Sequence, residues 1–225
     1  MQDLLEKNRI IAHNKHDPNT GAYDSLRTQV MQKMRASGWK TLGVASPTSG
    51  SGKSVTAINL AISISQLVDQ TCLLLDLDLR QPSVVDYLGI DHEPTLNQFF
   101  NGDCDFAATL SRPLLPDLVV SGARKSVQGS GEIMASAAMA GLMDEIRERY
   151  VDRLVVIDLP PLIGADDAIA LLPRIDCVLL VVGNGQNSRE EVERSVRHLS
   201  NTQLLGTLLN KSKHHDANYY YAYGA

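Results

Sequence analysis

Residues 41–54 read TLGVASPTSGSGKS, and this stretch decides the fold of the 225-residue chain. The apolar run at 41–46 predicts a buried strand, and a loop rich in Gly and Ser follows it. Gly50 and Gly52 allow backbone angles that other residues resist, so successive N–H groups can turn inward around an anion. A strand, such a loop and a helix opening near Ser54 are together typical of a phosphate-binding loop.

The loop also carries side chains suited to ATP and Mg²⁺. Lys53 supplies a cation for the β- and γ-phosphates, and the Ser54 hydroxyl can ligate the metal. The N-terminus of the following helix adds a dipole that favours the anion. Pro47 departs from the motif G-x-x-x-x-G-K-[ST], because the first glycine would stand there. The predicted nucleotide-binding residues of this segment are Ser49, Gly50, Ser51, Gly52, Lys53, Ser54 and Val55.

Apolar runs alternate with amphipathic stretches along the rest of the chain. Continuous apolar runs predict strands covered on both faces at 41–46, 72–77, 118–121, 154–159, 177–182 and 204–209. Helices are predicted at 22–36, 54–68, 132–150, 166–172 and 188–199. The last of these opens with Ser188 and Glu191 at capping-box spacing. This order predicts an α/β fold of the P-loop NTPase type, with a mainly parallel sheet and helices on both faces.

The two ends differ in composition from the middle. We expect an N-terminal arm at 1–19, a P-loop domain at 20–211 and a flexible tail at 212–225. Four of the seven tyrosines lie in the last seven residues: Tyr219, Tyr220, Tyr221 and Tyr223. An extended chain from Lys211 to Tyr219 reaches about 25–28 Å, so the tail could approach its own site or that of a neighbour.

Composition narrows the class of protein. The net charge is −5 with no block of Lys or Arg, so nucleic acid is not an expected partner. The chain shows no signal peptide at its start and no apolar stretch of 18 residues, which predicts a cytoplasmic protein that does not itself span a membrane. Its three cysteines are widely spaced, and we interpret them as small core residues in a reducing compartment.

Aspartates follow two of the predicted strands. Asp76 and Asp78 lie in LLLDLDLR, and Asp158 ends the strand of LVVIDLPP. In open α/β sheets ligands bind at the carboxyl ends of the strands, where carboxylates hold Mg²⁺ or accept a proton from an attacking hydroxyl. Helix capping or a solvated loop is the structural alternative for each. A helix N-cap explains at least one of Asp166 and Asp167.

The three segments together resemble the bacterial tyrosine autokinases, or BY-kinases, of the CpsD/CapB type found in capsule and exopolysaccharide operons. In that family the phosphate loop is followed by a D-x-D-x-R motif, here Asp76, Asp78 and Arg80, and by a strand ending in D-x-P-P, here from Asp158. The resemblance runs from about residue 22 to residue 211. It implies an ATP·Mg²⁺-dependent kinase that phosphorylates its own tail at Tyr219, Tyr220, Tyr221 and Tyr223.

The resemblance also implies roles for individual residues. Lys53 and Mg²⁺ would neutralise the charge that develops on the transferred phosphoryl group. The implied metal ligands are Ser54, Asp78 and Asp158. Asp76 is the candidate base, although the sequence does not separate Asp76 from Asp78 in these roles. Asn210, after the last strand, stands where related P-loop proteins recognise adenine.

Two departures from the family pattern bear on assembly and on function. The helix before the first strand commonly carries E-x-x-R-x-x-R, which assembles a ring; the matching positions here are Gly21, Asp24 and Arg27. This argues against a ring formed by the usual contact and leaves another homo-oligomer open. Thr48 stands where the related partitioning ATPases have a signature lysine.

Three functions therefore compete. The first is the autokinase, whose partner in the family is a transmembrane adaptor of the chain-length-regulator type that would recruit the chain to the inner face of the plasma membrane. The second is a nucleotide switch of the MinD/ParA type, and the third is a nucleotide-binding regulatory subunit with little turnover. Thr48 and the clustered tail tyrosines favour the kinase.

Overall fold

The structure, a computed structural model, describes residues 2–115, 117–149, 153–164 and 166–212. The tyrosines predicted as phosphoacceptors, at 219–223, lie outside these residues. Within the described ranges, no helix combines the length and the apolar character needed to cross a bilayer.

Six strands form one parallel sheet in the described part of the chain, in the order β3-β2-β4-β1-β5-β6. Their bounds are β1 (Thr41–Ala45), β2 (Thr71–Asp76), β3 (Leu118–Ser121), β4 (Arg153–Asp158), β5 (Cys177–Gly183) and β6 (Gln203–Asn210). The predicted α/β fold is confirmed, and each observed strand lies within one or two residues of its predicted bounds. The first strand, β1, is central, so the loop that follows it has neighbouring strand ends on both sides.

Helices cover both faces of the sheet. Their bounds are α1 (Gln2–Lys7), α2 (Thr20–Ser37), α3 (Lys53–Ser65), α4 (Val84–Leu88), α5 (Leu96–Asn101), α6 (Ser130–Met134), α7 (Ala137–Arg149), α8 (Asp167–Leu171) and α9 (Arg189–His198). Short 3₁₀ turns occupy Phe106–Thr109 and Leu172–Arg174. The capping box of α9 is confirmed, since Ser188 Oγ accepts a hydrogen bond from the Glu191 backbone N–H.

The prediction of one helix over 132–150 is wrong, because the chain forms α6 and α7 there. Ser136 interrupts the helix: its hydroxyl accepts a hydrogen bond from the Met139 backbone N–H at 3.2 Å and so caps a new start. Helices α1, α4 and α5 were not predicted, since each has five or six residues and offers too short a period to detect. A local signal for α5 was present in the capping box of Thr95 and Gln98.

The strands separate two cores because successive side chains point to opposite faces. In β1, Leu42 and Val44 pack in the core beneath α2 and α3, whereas Ala45 packs in the core on the side of α7 and α8. Cys72 and Cys177 are buried in the first of these cores, as the sequence predicts. Because the side chains on both faces of the sheet are buried in an apolar core, each strand is a continuous apolar run in the sequence.

Helices α2 and α3 are joined by a polar cluster at the positions where the resembling family assembles its ring. The Arg27 guanidinium donates to Asp24 Oδ1 at 2.8 Å and to the Ser63 carbonyl at 3.1 Å. The Ser63 hydroxyl donates to the same Asp24 oxygen at 2.8 Å. Arg27 is therefore engaged within its own chain.

Asn59, a side chain of α3, contacts the backbone of residues 9–12 of the N-terminal segment. Asn59 is fully buried, and its Oδ1 accepts the backbone N–H groups of Ile11 and Ala12 at 2.8 and 2.9 Å. Its Nδ2 donates to the Arg9 carbonyl at 3.0 Å and to the Val55 carbonyl at 2.8 Å. A single amide thus satisfies the backbone of a segment that has no strand or helix partner at this point.

Replacing Asn59 by Ala should destabilise the protein by about 2–4 kcal/mol, because the buried N–H of Ala12 and the partly buried backbone groups of Arg9 and Ile11 lose their partner. Urea unfolding measures this loss, and limited trypsin cleavage after Arg9 should accelerate in parallel. Asn101→Ala, an exposed change at the end of α5, is the matched control and should leave both unchanged. Equal free energies of unfolding for Asn59→Ala and Asn101→Ala would contradict this role of Asn59.

Candidate nucleotide site

Three strand ends bring the predicted site residues together. Strand β4 lies between β1 and β2, and its last residue, Asp158, pairs with Val44 on one side and Asp76 on the other. The phosphate loop leaves β1 at the same edge, and α3 begins with Lys53. The carboxyl ends of parallel strands lie at the same edge of a sheet, so residues far apart in the sequence meet there.

The phosphate loop adopts the backbone that its glycines were predicted to allow. Gly50 and Gly52 have φ angles of 85° and 92°, in the left-handed region that side chains disfavour. A Cβ atom at Gly52 would also collide with the side-chain amide of Asn210. The loop therefore needs glycine at this position for its backbone angle and for its packing.

Lys53 lies between two carboxylates. Its Nζ is 2.7 Å from Asp78 Oδ2 and 3.3 Å from Asp158 Oδ1, and it donates to Ser54 Oγ at 3.2 Å. All three of these residues were predicted from the sequence as metal ligands. Their oxygens now converge on one cationic atom, in a pocket where Asp78 is 3% and Asp158 0% exposed. Because Mg²⁺ takes oxygen ligands of these types, the donor set fits that ion.

Burial and charge shift the pKa values of this cluster in predictable directions. Burial by itself would lower the pKa of Lys53, but the Asp158 and Asp78 carboxylates outweigh it and raise that pKa. Burial also raises the pKa of Asp158, although Lys53 and the hydrogen bond from Ser54 oppose the rise. The cluster consequently holds Lys53 in its protonated form, and a further cation would stabilise the ionised form of the carboxylates.

Asp76 lies beneath this cluster and is fully buried. Its Oδ1 accepts the Asp78 N–H at 3.1 Å, and its Oδ2 accepts the N–H groups of Ser83 and Val84 at 2.9 and 3.0 Å. Burial, reinforced by the nearby Asp158 carboxylate, raises the pKa of Asp76 to about 7 against the pull of these N–H groups. Asp76 thus shapes the loop that presents Asp78.

Arg80, the arginine of the D-x-D-x-R segment, anchors the same loop on its other side. It makes a two-pronged contact with Asp167, at 2.8 Å from Nε to Oδ2 and 2.7 Å from Nη2 to Oδ1. Ser130 Oγ donates to the same Asp167 carboxylate. Burial would raise the pKa of Asp167, but the hydrogen bonds from Arg80 and Ser130 lower it. Asp167 is therefore engaged with this loop and not with the Lys53 cluster.

The site opens into a cavity of about 1010 Å³. Its wall includes Ser49, Gly50 and Gly52 through Thr56 from the loop and α3, together with Asp78 and Asn210. The N-terminal segment contributes Glu6 through Arg9. Asn210 lies against the loop, where its Nδ2 donates to the Ser51 carbonyl at 2.9 Å. Of the predicted residues that the structure describes, Ser51, Asp76 and Asp158 are buried and do not line the cavity.

Sequence reasoning missed three side chains that contact the loop. Lys211 Nζ donates to the Gly50 carbonyl at 2.6 Å, Gln186 Nε2 to the Ser49 carbonyl at 3.3 Å, and Asn187 Nδ2 to Thr48 Oγ1 at 2.8 Å. No local motif marks them. The available signal was their position after β5 and β6, at the sheet edge that holds the loop.

A glycine-rich phosphate loop between a central strand and a helix, beside acidic ends of two neighbouring strands, defines a P-loop NTPase site. The family model described as "ParA: NUBPL iron-transfer P-loop NTPase" matches residues 39–218. The chain belongs to this ParA family of P-loop NTPases.

Relatives within this broad group support the resemblance drawn from the sequence. EpsB of Ralstonia nicotianae, named as a tyrosine-protein kinase, is 30% identical over 93% of this chain, which spans only 27% of EpsB. Tyrosine-protein kinase YwqD of Bacillus subtilis is 27% identical over 96% of this chain and 92% of its own length. The kinase domain of the Escherichia coli tyrosine kinase ETK shares the fold, with a TM-score of 0.81, 23% identity and coverage of 96% of this chain and 84% of that one. The similarity to BY-kinases is confirmed.

Asp76 should make stability depend on pH in a defined direction. Its folded pKa of about 7 lies above the ordinary value of 3.8, so in that window the folded state holds a proton that the unfolded chain has lost. The stability that Asp76 contributes therefore falls as the pH rises from about 4 to about 7. Relative to Asp76→Asn, which does not titrate, the wild type should lose unfolding free energy between about pH 4 and about pH 7. Urea unfolding measures it, and a pH-independent difference between the two proteins would contradict the assignment.

Proposed function

We propose that the chain is an ATP·Mg²⁺-dependent protein-tyrosine autokinase that phosphorylates Tyr219, Tyr220, Tyr221 and Tyr223 in its tail. The observation that carries the proposal is the convergence of Ser54, Asp78 and Asp158 on the Lys53 ammonium, at the mouth of the phosphate loop. Phosphoryl transfer requires positioning and charge neutralisation more than covalent chemistry, and this cluster offers both. The names of the relatives supply the reaction class.

The residues divide between the phosphates, the metal and the acceptor. When nucleotide binds, the Lys53 ammonium would move from the carboxylates to the β- and γ-phosphates. The position that it leaves, among the oxygens of Ser54, Asp78 and Asp158, would suit Mg²⁺. Bound Mg²⁺ would neutralise charge on the transferred group. Ser54 and Asp78 line the cavity and lie with Asp158 around Lys53 Nζ, so we assign these three residues to the metal. Asp76 is proposed as the base on the resemblance drawn from the sequence, although it is fully buried and does not line the cavity.

The setting of the reaction follows from the same resemblance. We propose that the kinase regulates exopolysaccharide or capsule synthesis and export. Its partner would be a transmembrane adaptor of the chain-length-regulator type, which would hold it at the inner face of the plasma membrane. A homo-oligomer would use contacts other than Arg27, because that guanidinium is engaged with Asp24 and Ser63.

A nucleotide switch is the second candidate, and membership of the ParA family favours it. Such switches carry a lysine near the start of the loop. At that position this chain has Thr48, whose hydroxyl accepts a hydrogen bond from Asn187 within the same chain. The kinase and the switch differ in the fate of the γ-phosphate, which a switch releases to water.

Incubation with γ-labelled ATP and Mg²⁺ should place label on tyrosine in the wild type. Lys53→Met should abolish labelling, because the phosphate charge loses its cation. Replacing all four tail tyrosines by Phe should abolish labelling while nucleotide binding persists. Phosphoamino-acid analysis and fluorescence titration with labelled ADP measure the two properties. Release of free phosphate without tyrosine label in the wild type would favour the switch and contradict the kinase.

Asp78→Asn should lower the rate of labelling about 10²-fold or more, since it removes an anionic ligand at the metal. The variant should also need more Mg²⁺ to reach its half-maximal rate, which initial rates across a Mg²⁺ series measure. Asp91→Asn makes the same chemical change at an exposed carboxylate and is the matched control. Loss of rate with an unchanged Mg²⁺ requirement would assign Asp78 to a role away from the metal.

A further inference from the structure

The turn between β5 and α9 lies against the outer side of the phosphate loop. Strand β5 pairs with β1, so the segments that follow these two strands are neighbours. From this turn Gln186 Nε2 donates to the Ser49 carbonyl at 3.3 Å. The next residue, Asn187, donates to Thr48 Oγ1 at 2.8 Å and accepts from Ser51 Oγ at 2.9 Å. Two consecutive side chains thus hold the loop from outside.

Two glycines leave room for Gln186. A Cβ atom at Gly50 would lie 2.8 Å from Gln186 Nε2, and a Cβ atom at Gly183 would lie 2.9 Å from Gln186 Oε1. Both distances are shorter than ordinary contacts, so a side chain at either glycine would displace the Gln186 amide from its present position against the loop.

Lys211 extends this contact to the next carbonyl. Its Nζ donates to the Gly50 carbonyl at 2.6 Å and to Gln186 Oε1 at 3.0 Å, so the two side chains also hold each other. Asn210 Nδ2 donates to the Ser51 carbonyl at 2.9 Å. Three successive carbonyls of the loop, at Ser49, Gly50 and Ser51, therefore each accept a side-chain donor.

Peptide planarity gives this arrangement a consequence for phosphate binding. In a trans peptide the C=O of one residue and the N–H of the next point in opposite directions. Fixing the carbonyls of residues 49–51 therefore also fixes the N–H groups of residues 50–52, each on the opposite side of its peptide plane. Those N–H groups are the donors that a phosphate loop offers to its anion. A loop already fixed in this orientation loses less entropy when the anion binds.

We propose that Gln186, Asn187 and Lys211 form an outer brace that orients the N–H groups of the loop, and that Gln186 is a positioning residue for phosphate binding. The inference rests on nucleotide binding as proposed above. Gln186 offers the clean test, because the described residues that line the cavity include Lys211 but not Gln186. Any effect of Gln186 on the nucleotide therefore passes through the groups that it contacts, which are the loop and Lys211.

The experiment compares Gln186→Ala with Asn184→Ala, an exposed change in the same turn, using three probes: Mg·ADP, pyrophosphate and adenosine. Gln186→Ala loses the hydrogen bond to the Ser49 carbonyl and the one from Lys211, and its binding of Mg·ADP and of pyrophosphate should weaken about fivefold. Adenosine, which has no phosphate, should bind equally well to both variants and to the wild type. The midpoint of urea unfolding should not change, because Gln186 is exposed.

A second variant, Gln186→Glu, keeps an acceptor for Lys211 but cannot donate to the Ser49 carbonyl. It should lose at least as much affinity for pyrophosphate as Gln186→Ala. Unchanged Mg·ADP binding by Gln186→Ala, or an equal loss of adenosine binding, would overturn the brace and leave the proposed function standing. Failure of the wild type to bind Mg·ADP at all would overturn both.

Discussion

The ammonium of Lys53, buried between the carboxylates of Asp78 and Asp158, is the interaction on which the rest of the site depends. Two anions this close are tolerated away from water only with a cation between them, and a lysine is tolerated there only with anions beside it. Three strand ends must therefore meet at one point, which the parallel sheet with β1 at its centre achieves. Bound Mg²⁺ and nucleotide would have to replace these contacts, with the metal beside the carboxylates and the phosphates beside Lys53.

Backbone hydrogen bonding is the second constraint, and it links the site to distant parts of the chain. A loop that turns its N–H groups toward a ligand must satisfy its carbonyls elsewhere, and side chains from the ends of β5 and β6 do so here. Asn59 does the same for the N-terminal segment, which forms part of the cavity wall. Polar side chains thus position much of the irregular backbone around the site.

Local patterns in the sequence predicted much of the fold and of the site. Continuous apolar runs located the six strands, because a sheet covered on both faces excludes polar residues from its strands. Helices α1, α4 and α5 are too short for an apolar repeat to be detected in the sequence. Ser136 caps a new helix within 132–150, a stretch whose other residues predict a single helix. The acidic residues were found from their places at strand ends. The separate positions of Asp76 and Asp78 were not, since two aspartates in one motif look alike in sequence.

Residue types and short-range spacing were enough to predict the phosphate loop, the alternation of strands and helices in a parallel sheet, and the three aspartates at the edge of that sheet. These features follow from the backbone freedom of glycine, the burial of apolar residues and the alternation of side chains along a strand. Other contacts emerge from the folded chain alone: Gln186, Asn187 and Lys211 hold the loop, Arg80 engages Asp167, and Asp76 lies beneath Asp78. Those contacts join residues that strand order brings together across the chain, and no local spacing records which strands become neighbours.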